Sequence, residues 1–510
     1  MLEKKSMSRL SKNILYNLFG QIGLLVLSFA AVKFIYNDLG EDALGIIYFT
    51  ITLSYLLSLM LEMGICTTST REVAAFHESE PKYIYEVIRT GSAFYWGSFF
   101  LISFLIYFTA PIIVEKWIIL KSLDKATATS ILRILGISSF VALPSAFYTS
   151  LIKGLQRMEF NNLIDVTIVT LRQSGTILIL YLAGNIYHVV YWMAFCFALS
   201  IIIYVVILCR FFRVKSFVPR IYLSVIKRTI GFAKDMTLLS IFWGIYKQAD
   251  KIIISKFMQI GLVGYYNLAQ RVVSLGTLLS QAIRGASFPA FSALYRENKH
   301  AQIVTQYNKL QDIILFGNIP LLTFIPFAAL PVFSIILNEE IAEMLMLPIV
   351  LLCIGAYMDS TLRIPVTISL AVDKPEIAKK ANLYSLIIML PLSILLIYNY
   401  GLVGAGLAII TRMIFFFIYA VPKIYKECLQ LPIITWYQSF FKVIGVAMFS
   451  YGLCWTALAF MNNYSIPALL IAYISGTIIF AINSYLVIGP ELKGHILSFV
   501  YVIHSKITAV

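Results

Sequence analysis

The chain has 510 residues, of which 60% are hydrophobic and only 13% are charged. Soluble proteins carry about 25% charged residues, so this composition excludes an ordinary soluble enzyme and predicts a protein that crosses a membrane many times. The net charge of +15 is expected in the loops that flank a bilayer, and we predict no nucleic-acid partner. The six cysteines are scattered without metal-ligand spacing, so we predict no disulfide, metal site or cofactor.

Apolar stretches of spanning length recur along the whole chain. A transmembrane helix needs about 20 apolar residues, and no stretch shows the alternation of a β-barrel strand. The fold class predicted is therefore an all-α polytopic membrane protein with about 14 transmembrane helices. Numbered in chain order, the predicted spans cover residues 13–36, 43–67, 87–110, 127–150, 162–182, 186–208, 229–255, 262–287, 309–335, 344–370, 381–399, 401–421, 437–460 and 465–488.

The basic residues alternate between rich and poor loops along the chain. With the N-terminus placed inside, the inner segments hold about 26 lysines and arginines and the outer loops about five. The richest loop contains Arg210, Arg213, Lys215, Arg220, Lys227 and Arg228. This asymmetry predicts that both termini are cytoplasmic.

Two glycine-tyrosine motifs indicate a weak internal repeat. Gly40 and Gly45 lie between spans 1 and 2, and Gly261 and Gly264 lie between spans 7 and 8. The offset of about 219 residues equals roughly six helices, as expected for a duplicated transporter half. We therefore predict a six-helix lobe at 1–215, a second lobe at 216–425, and spans 13 and 14 with a tail at 426–510.

Span 8 carries a polar stripe. At about 100° per residue, all of its polar residues except Ser280 fall within an arc of roughly 140°. Two guanidiniums on one membrane-embedded face are costly unless they line a wet cavity or meet an anion. The stripe thus predicts a pathway for a negatively charged cargo. Its members are Asn267, Gln270, Arg271, Ser274, Thr277, Gln281 and Arg284.

Charged residues on other spans predict pairs or gates. On span 7, Lys247, Asp250 and Lys251 lie within one turn near the outer end, and we interpret them as a structural pair or an outer-gate latch, with direct sugar or proton contact as the alternative. On span 10, Asp359 and Arg363 have the i,i+4 spacing of a structural ion pair.

Two further arginines lie in mid-span without an acid at helical spacing. Arg172 on span 5 and Arg412 on span 12 are candidates for lining a cavity, and a partner elsewhere in the fold is the equal alternative. Glu62, Arg71 and Glu72 lie at the inner end of span 2 and are predicted to form an inner gate with Arg284.

Six short segments of the chain stand out in order. The central ones are residues 248–254 (QADKIII), 264–271 (GYYNLAQR) and 288–292 (FPAFS). Looser ones are residues 71–74 (REVA), 153–157 (KGLQR) and 401–406 (GLVGAG). Together they resemble the polysaccharide-transporter family, which contains the O-antigen and capsule repeat-unit flippases of bacteria. The family's superfamily also includes the lipid II flippase and multidrug exporters.

The resemblance implies two six-helix lobes in a V and a central cavity lined by spans 1, 2, 7 and 8. The implied cargo is an undecaprenyl-pyrophosphate-linked oligosaccharide, flipped from the inner to the outer leaflet of the bacterial cytoplasmic membrane. Asn17 and Gln21 would line the cavity from span 1, which has no arginine in its apolar part. H⁺ or Na⁺ as coupling ion, a polysaccharide polymerase and a chain-length regulator are further implied partners.

Within this framework Arg271 is the leading site residue. It lies roughly 14 Å below the outer end of span 8 at 1.5 Å per residue, where snorkelling cannot bring its charge to water. A guanidinium at this depth can bind a pyrophosphate through two parallel bonds. The alternative is an arginine satisfied by Asn267, Gln270 or an acid of the facing lobe.

Two other functions remain open. A cation-coupled multidrug exporter of the same superfamily would use acidic residues in the first lobe, and span 1 contains none. A membrane glycan polymerase or ligase would need catalytic groups on a substantial outer loop, and no loop here is long enough. We therefore predict a transporter and not an enzyme.

Overall fold

The computed structural model describes residues 23–61, 64–462 and 464–487. Within these ranges every regular element is a helix, and the β contact seen is an isolated bridge between Ile119 and Gln259. The predicted all-α class is therefore confirmed.

The described residues form two compact units that divide between Asn267 and Leu268. The first contains α1 (23–39), α2 (Glu41–Leu61), α3 (Ile65–Phe76), α4 (Pro81–Lys116), α5 (Lys125–Ser139), α6 (Ala142–Gly154), α7 (Met158–Tyr181), α8 (Ile186–Leu208) and α9 (Leu223–Phe257). The boundary between the units falls inside α10 (Gly261–Leu275). The lobes expected at 1–215 and 216–425 remain a prediction.

The second unit continues the helical pattern with three long helices in sequence. It contains α11 (Leu278–Arg296), α12 (His300–Ile336), α13 (Glu339–Ala371), α14 (Pro375–Ile424), α15 (Ile433–Ala447), α16 (Leu453–Met461) and α17 (Ile466–Val487). Within it α13 packs between α12 and α14 and also contacts α11.

Nine helical stretches in the described ranges are long and apolar enough to cross a membrane. One of them, Pro375–Leu429, is 55 residues long, which is about 82 Å at 1.5 Å per residue and far exceeds a hydrocarbon core of about 30 Å. Gly401 interrupts it with a φ of 58°, and a Cβ on Gly404 would overlap the Leu396 carbonyl. The chain therefore reverses at Gly401, where spans 11 and 12 were predicted to meet.

Three other predicted spans depart locally from a single regular α-helix. Predicted span 2 does not run continuously to residue 67, because Gly64 adopts a left-handed φ of 61° before α3 begins. Predicted span 4 is divided between α5 and α6 at Phe140 and Val141. Predicted span 13 lies within a continuous helical stretch, Ile433–Met461, which contains a π-helical turn at Met448–Gly452.

A side chain from a neighbouring helix satisfies a carbonyl that proline leaves unpaired in α4. Pro111 has no N–H to donate to the carbonyl four residues earlier, which belongs to Tyr107. Arg133 of α5 donates from Nε to that oxygen at 3.0 Å, and its guanidinium lies 4.4 Å from the Tyr107 ring centroid. This basic residue of span 4 therefore has a structural role.

A side chain of α12 likewise bonds a carbonyl that proline leaves unpaired in α13. Pro365 frees the carbonyl of Thr361, and Gln311 donates to it from Nε2 at 3.0 Å. Gln311 is 4% exposed, so this bond stabilises a proline site in the interior of the second unit.

Gln311→Met should lower the stability of the purified protein by about 1–3 kcal/mol, because it leaves the Thr361 carbonyl buried and unpaired. The measurement is the thermal unfolding midpoint in detergent. Gln302→Met, on the exposed face of the same helix, is the control and should leave the midpoint unchanged. Equal midpoints for both variants would contradict the assigned bond.

Candidate functional site

The predicted span 8 is two helices. α10 ends at Leu275 and α11 begins at Leu278, so the single helix predicted over 262–287 is wrong. Gly276 lies at the break, where a Cβ would come within 2.5 Å of Leu322 on α12. Because Gly276 has no side chain, α12 can approach the chain closely at this point.

Six of the seven residues of the polar stripe are exposed or half-buried despite the break. Ser274, Gln281 and Arg284 are exposed, and Asn267, Gln270 and Arg271 are half-buried. Ser280, which helical geometry placed outside the stripe, is fully buried and donates to Ser360 of α13 at 3.2 Å. Thr277 departs from the pattern, because it is buried at the break.

Most of the smaller polar side chains bond within their own chain segment. Asn267 donates from Nδ2 to the Val263 carbonyl at 2.8 Å, and Ser274 donates to the Arg271 carbonyl at 2.7 Å. Gln281 donates to the Thr277 hydroxyl at 3.0 Å. These donors satisfy one another or the helix backbone, so they hold no cargo-binding geometry by themselves.

The two guanidiniums of the stripe differ from these neighbours. In the described part of the chain, no residue forms a hydrogen bond or ion pair with the guanidinium of Arg271 or of Arg284. Arg271 is the eleventh residue of α10, which places it about 15 Å along the helix axis from Gly261. Among the described residues, neither Asn267, Gln270 nor an acid bonds this guanidinium. Whether Arg271 binds an anion or has a structural role stays a prediction.

In the first unit, the two repeated glycine motifs pack against each other. A Cβ on Gly45 would overlap the backbone carbonyl of Ile260, and a Cβ on Gly261 would lie 3.1 Å from the Cβ of Glu41. On the next turn, a Cβ on Gly264 would be 3.0 Å from Leu44. We call this meeting of 41–45 with 260–265 the glycine contact. Residues larger than glycine cannot approach as closely.

Polar bonds surround the glycine contact. Glu41 pairs with Lys121 at 2.7 Å and accepts a hydrogen bond from the Tyr265 hydroxyl at 3.0 Å. The Tyr36 and Tyr265 rings meet edge to face with centroids 6.1 Å apart. One carboxylate therefore joins α2, the loop after α4, and α10.

Asp42 fixes the same loop from the adjacent position. It is 1% exposed, and its Oδ2 accepts backbone N–H bonds from Lys121 at 2.7 Å, Ser122 at 2.6 Å and Leu123 at 2.9 Å. None of these residues was predicted as a site. The only sequence signal was the glycine repeat beside them.

The predicted charged cluster on α9 is tied to α10. Asp250 accepts a bond of 2.7 Å from the Tyr266 hydroxyl, and Lys251 donates to Gln248 at 3.0 Å. Lys247 is exposed. The bond between Asp250 and Tyr266 connects α9 to α10. It does not decide between a structural pair and a gate, so that interpretation stays a prediction.

The predicted Arg71 and Glu72 group is present at the end of α3. Arg71 pairs with Glu72 at 2.6 Å, and Glu72, only 2% exposed on its side chain, also accepts from the Tyr83 hydroxyl at 2.9 Å. Glu62, Asn17 and Gln21 lie outside the described residues. The predicted gate between Arg284 and the Arg71 group therefore remains a prediction.

Beside this group, Arg228 fixes the start of α9. It lies 3.9 Å from the ring centroid of Tyr83 and 4.6 Å from that of Phe76, and it pairs with Glu80 at 2.9 Å. This hydrogen-bonded guanidinium holds the pKa of the Glu80 carboxyl below its ordinary value. The sequence showed only a basic loop here.

The remaining predicted site residues are separate from these groups. The Asp359–Arg363 ion pair forms at 2.7 Å on α13. Arg172 on α7 is half-buried with its guanidinium 5.4 Å from the Phe197 ring centroid, and Arg412 is half-buried on α14. Among the described residues, no three His, Cys, Asp or Glu side chains are grouped to hold a metal ion.

Comparison with known proteins places this arrangement in a family. Residues 10–295, more than half of the chain, match the family model described as polysaccharide biosynthesis protein. The chain belongs to this family. The matched region includes α10 and Arg271 as well as both glycine motifs.

One curated relative is the probable low-salt glycan biosynthesis flippase Agl15 of Haloferax volcanii. It is 27% identical over 179 residues, which are 35% of this chain and 38% of the relative. The match thus spans well under half of the length of that protein.

Solved structures show the fold at low sequence identity. The lipid II flippase MurJ in an inward closed conformation has a TM-score of 0.70 at 15% identity, covering 92% of this chain and 97% of its own. A multidrug resistance MATE family transporter of the MOP superfamily, in an inward-facing conformation, has a TM-score of 0.67 at 12% identity, covering 80% of this chain and 98% of its own. The predicted MATE-like helical fold is therefore confirmed.

Proposed function

We propose that this protein is a flippase that moves lipid-linked oligosaccharides across a bilayer, with a polyprenyl pyrophosphate as the lipid carrier. The observation that carries the proposal is Arg271, a half-buried guanidinium far from either end of the α10–α11 segment and without a partner among the described residues. A charge in that position needs water or an anion. Family membership and the glycan flippase relative support an anionic glycan lipid.

Pyrophosphate fits Arg271 chemically. A planar guanidinium forms two parallel charge-assisted bonds to a phosphate group, which a lysine cannot reproduce. Arg284, exposed on α11, supplies a second cation toward the other end of the segment. The cargo would meet Arg271 with its pyrophosphate, and the exposed polar groups of α11, such as Gln281, would contact water or sugar.

The glycine contact would close the outer side of the pathway. In this contact the backbones at the first turns of α2 and α10 lie close together. Glu41 adds bonds to Lys121 and Tyr265. Transport by alternating access requires such a closure to form and break. The charge pattern of the loops, with both termini cytoplasmic, supports assigning this end to the outer side.

The setting we propose is the bacterial cytoplasmic membrane, with undecaprenyl-pyrophosphate-linked repeat units of an O-antigen or capsule as cargo. Outward movement of a pyrophosphate is favoured by an inside-negative potential at about 2.3 kcal/mol per charge per 100 mV. The potential, H⁺ or Na⁺ would then drive the cycle. A polymerase and a chain-length regulator would act on the exported units.

The proposal is tested by thiol protection at two adjacent residues. Gln281→Cys should react with a polar maleimide, since Gln281 is exposed, whereas Ser280→Cys should not, since Ser280 is fully buried. A polyprenyl-pyrophosphate oligosaccharide should slow labelling of Gln281→Cys, and the same lipid without pyrophosphate should not. Peptide mass spectrometry separates these sites from the native cysteines.

Two results would contradict the proposed pathway. One is equal reactivity of the two cysteines. The other is labelling of Gln281→Cys that neither lipid changes. A multidrug exporter of the same fold is the other candidate, and an organic cation that protects the site where the pyrophosphate lipid does not would favour it.

A further inference from the structure

A groove opens on the outside of the first unit, where α7 ends and α8 begins. It is open to the surface and has a volume of about 490 Å³. It is lined by Ile179, Leu182, Gly184, His188, Tyr191, Trp192 and Phe195. The His188 imidazole and the Tyr191 hydroxyl are polar and the other side chains are apolar or aromatic, so the groove is mainly apolar.

The turn at the end of the groove is fixed by backbone bonds. Ala183 has a left-handed φ of 58°, and the N–H groups of Ala183 and Gly184 donate to Leu180 at 3.0 Å and Ile179 at 2.8 Å. These two bonds form a Schellman motif that ends α7. The groove therefore has a defined shape and is not a gap between mobile loops.

His188 is held in one orientation by the start of α8. Asn185 accepts from the His188 backbone N–H at 3.1 Å, and the Asn185 N–H donates to His188 Nδ1 at 3.2 Å, which together make a capping box. Because Nδ1 accepts, the proton of the neutral ring is on Nε2. No described residue accepts a bond from Nε2, so His188 presents a free donor in the groove.

An indole forms one wall of the groove. Trp192 lies against α7 at Gly175, where a Cβ would overlap the ring, and its Nε1 donates to the Arg172 carbonyl at 3.3 Å. Phe195 stands 5.6 Å from Trp192 between ring centroids and is 52% exposed. The wall is therefore apolar and rigid, and it faces outward from two membrane-spanning helices.

We propose that this groove is a binding site for one phospholipid of the surrounding bilayer. An acyl chain lies along Trp192 and Phe195, and the headgroup phosphate accepts a hydrogen bond from His188 Nε2. A donor near the start of α8, beside the apolar wall of Trp192 and Phe195, matches an amphiphile with one polar head and a long tail. The ends of spanning helices, where aromatic residues gather, lie at headgroup depth, which places the donor and the phosphate at the same level.

A pair of substitutions at His188 separates lipid binding from helix capping. Glutamine and glutamate at this position both complete a capping box, but only glutamine keeps a donor for a phosphate. With the purified protein and added phosphatidylglycerol, native mass spectrometry should show the lipid adduct for His188→Gln at the wild-type level. His188→Glu should reduce the adduct at least about fivefold, the equivalent of one hydrogen bond.

Removing an aromatic ring from the groove gives a second test of lipid binding. Phe195→Ala should also reduce the adduct, whereas Phe100→Ala, which removes a 65% exposed ring from α4, should not. The proposal is overturned if His188→Glu retains the wild-type adduct. It is equally overturned if Phe100→Ala and Phe195→Ala lose it alike, or if a polyprenyl phosphate occupies the site and phosphatidylglycerol does not displace it.

Discussion

Arg271→Ala should abolish export of the glycan while the protein remains folded in the membrane. Two charge-assisted bonds at about 1.5–3 kcal/mol each correspond to at least a 100-fold loss of affinity for the pyrophosphate. Arg271→Lys retains the charge without the fork and should be partly active, and Arg271→Glu should be inactive. The readout in cells is the accumulation of lipid-linked glycan that has not reached the outer surface.

Arg296→Ala is the matched control for these variants. Arg296 is an exposed arginine in the last turn of α11 and, like Arg271, has no partner among the described residues. It lies beyond the predicted end of span 8, so its removal should leave export unchanged. If Arg271→Ala inserts normally and exports glycan at the wild-type level, the guanidinium has a structural role and the anion-binding role is wrong.

Gly45→Val should stop transport by preventing the glycine contact from forming. A side chain at this position overlaps the Ile260 carbonyl, and a backbone atom of a helical hairpin cannot move aside as a flexible side chain can. The start of α2 would separate from the α9–α10 hairpin. A cysteine at Val263, buried in the wild-type fold, should then react with a membrane-impermeant thiol reagent.

Gly97→Val supplies the control for the glycine contact. A Cβ on Gly97 of α4 meets nothing within 4 Å, so this variant changes a helical glycine in the same way without creating an overlap. It should transport normally and keep the cysteine at Val263 protected. Normal transport by Gly45→Val would show that the close approach of these hairpins is not part of the cycle.

Much of the fold could be predicted because hydropathy follows the length of each membrane crossing. The reversal at Gly401 was predicted from the gap between spans 11 and 12, and the Asp359–Arg363 pair from its spacing. Both depend on residues close in sequence, for which helical geometry is sufficient. The glycine repeat was also visible, although the direct contact between its two copies was not.

The features that were not predicted from the sequence involve contacts between residues far apart in the chain. The break at Gly276 lies against Leu322 of α12, which is 46 positions away, and the periodicity of span 8 carries no signal of this contact. Glu41, Asp42 and Lys121 were not recognised because their role arises only when the loop after α4 reaches the start of α2. A carboxylate bonded to three successive backbone N–H groups, as Asp42 is, has no sequence signature.

The basic residues within the spans do not share one role. Arg133 bonds a carbonyl freed by proline, so it is not evidence for an anionic cargo. Arg172 lies near the Phe197 ring, and its role in lining a cavity stays a prediction. Arg271 and Arg284 remain as the arginines of the stripe without a described partner.

The most direct measurement is flipping in reconstituted vesicles. A polyprenyl-pyrophosphate oligosaccharide with a fluorophore on the sugar is placed in the inner leaflet, and an impermeant quencher added outside reports its arrival. Wild-type protein and Arg296→Ala should flip the lipid faster than protein-free vesicles, and Arg271→Ala should not. Wild-type vesicles that flip no faster than empty ones, or Arg271→Ala vesicles that match the wild type, would contradict the account.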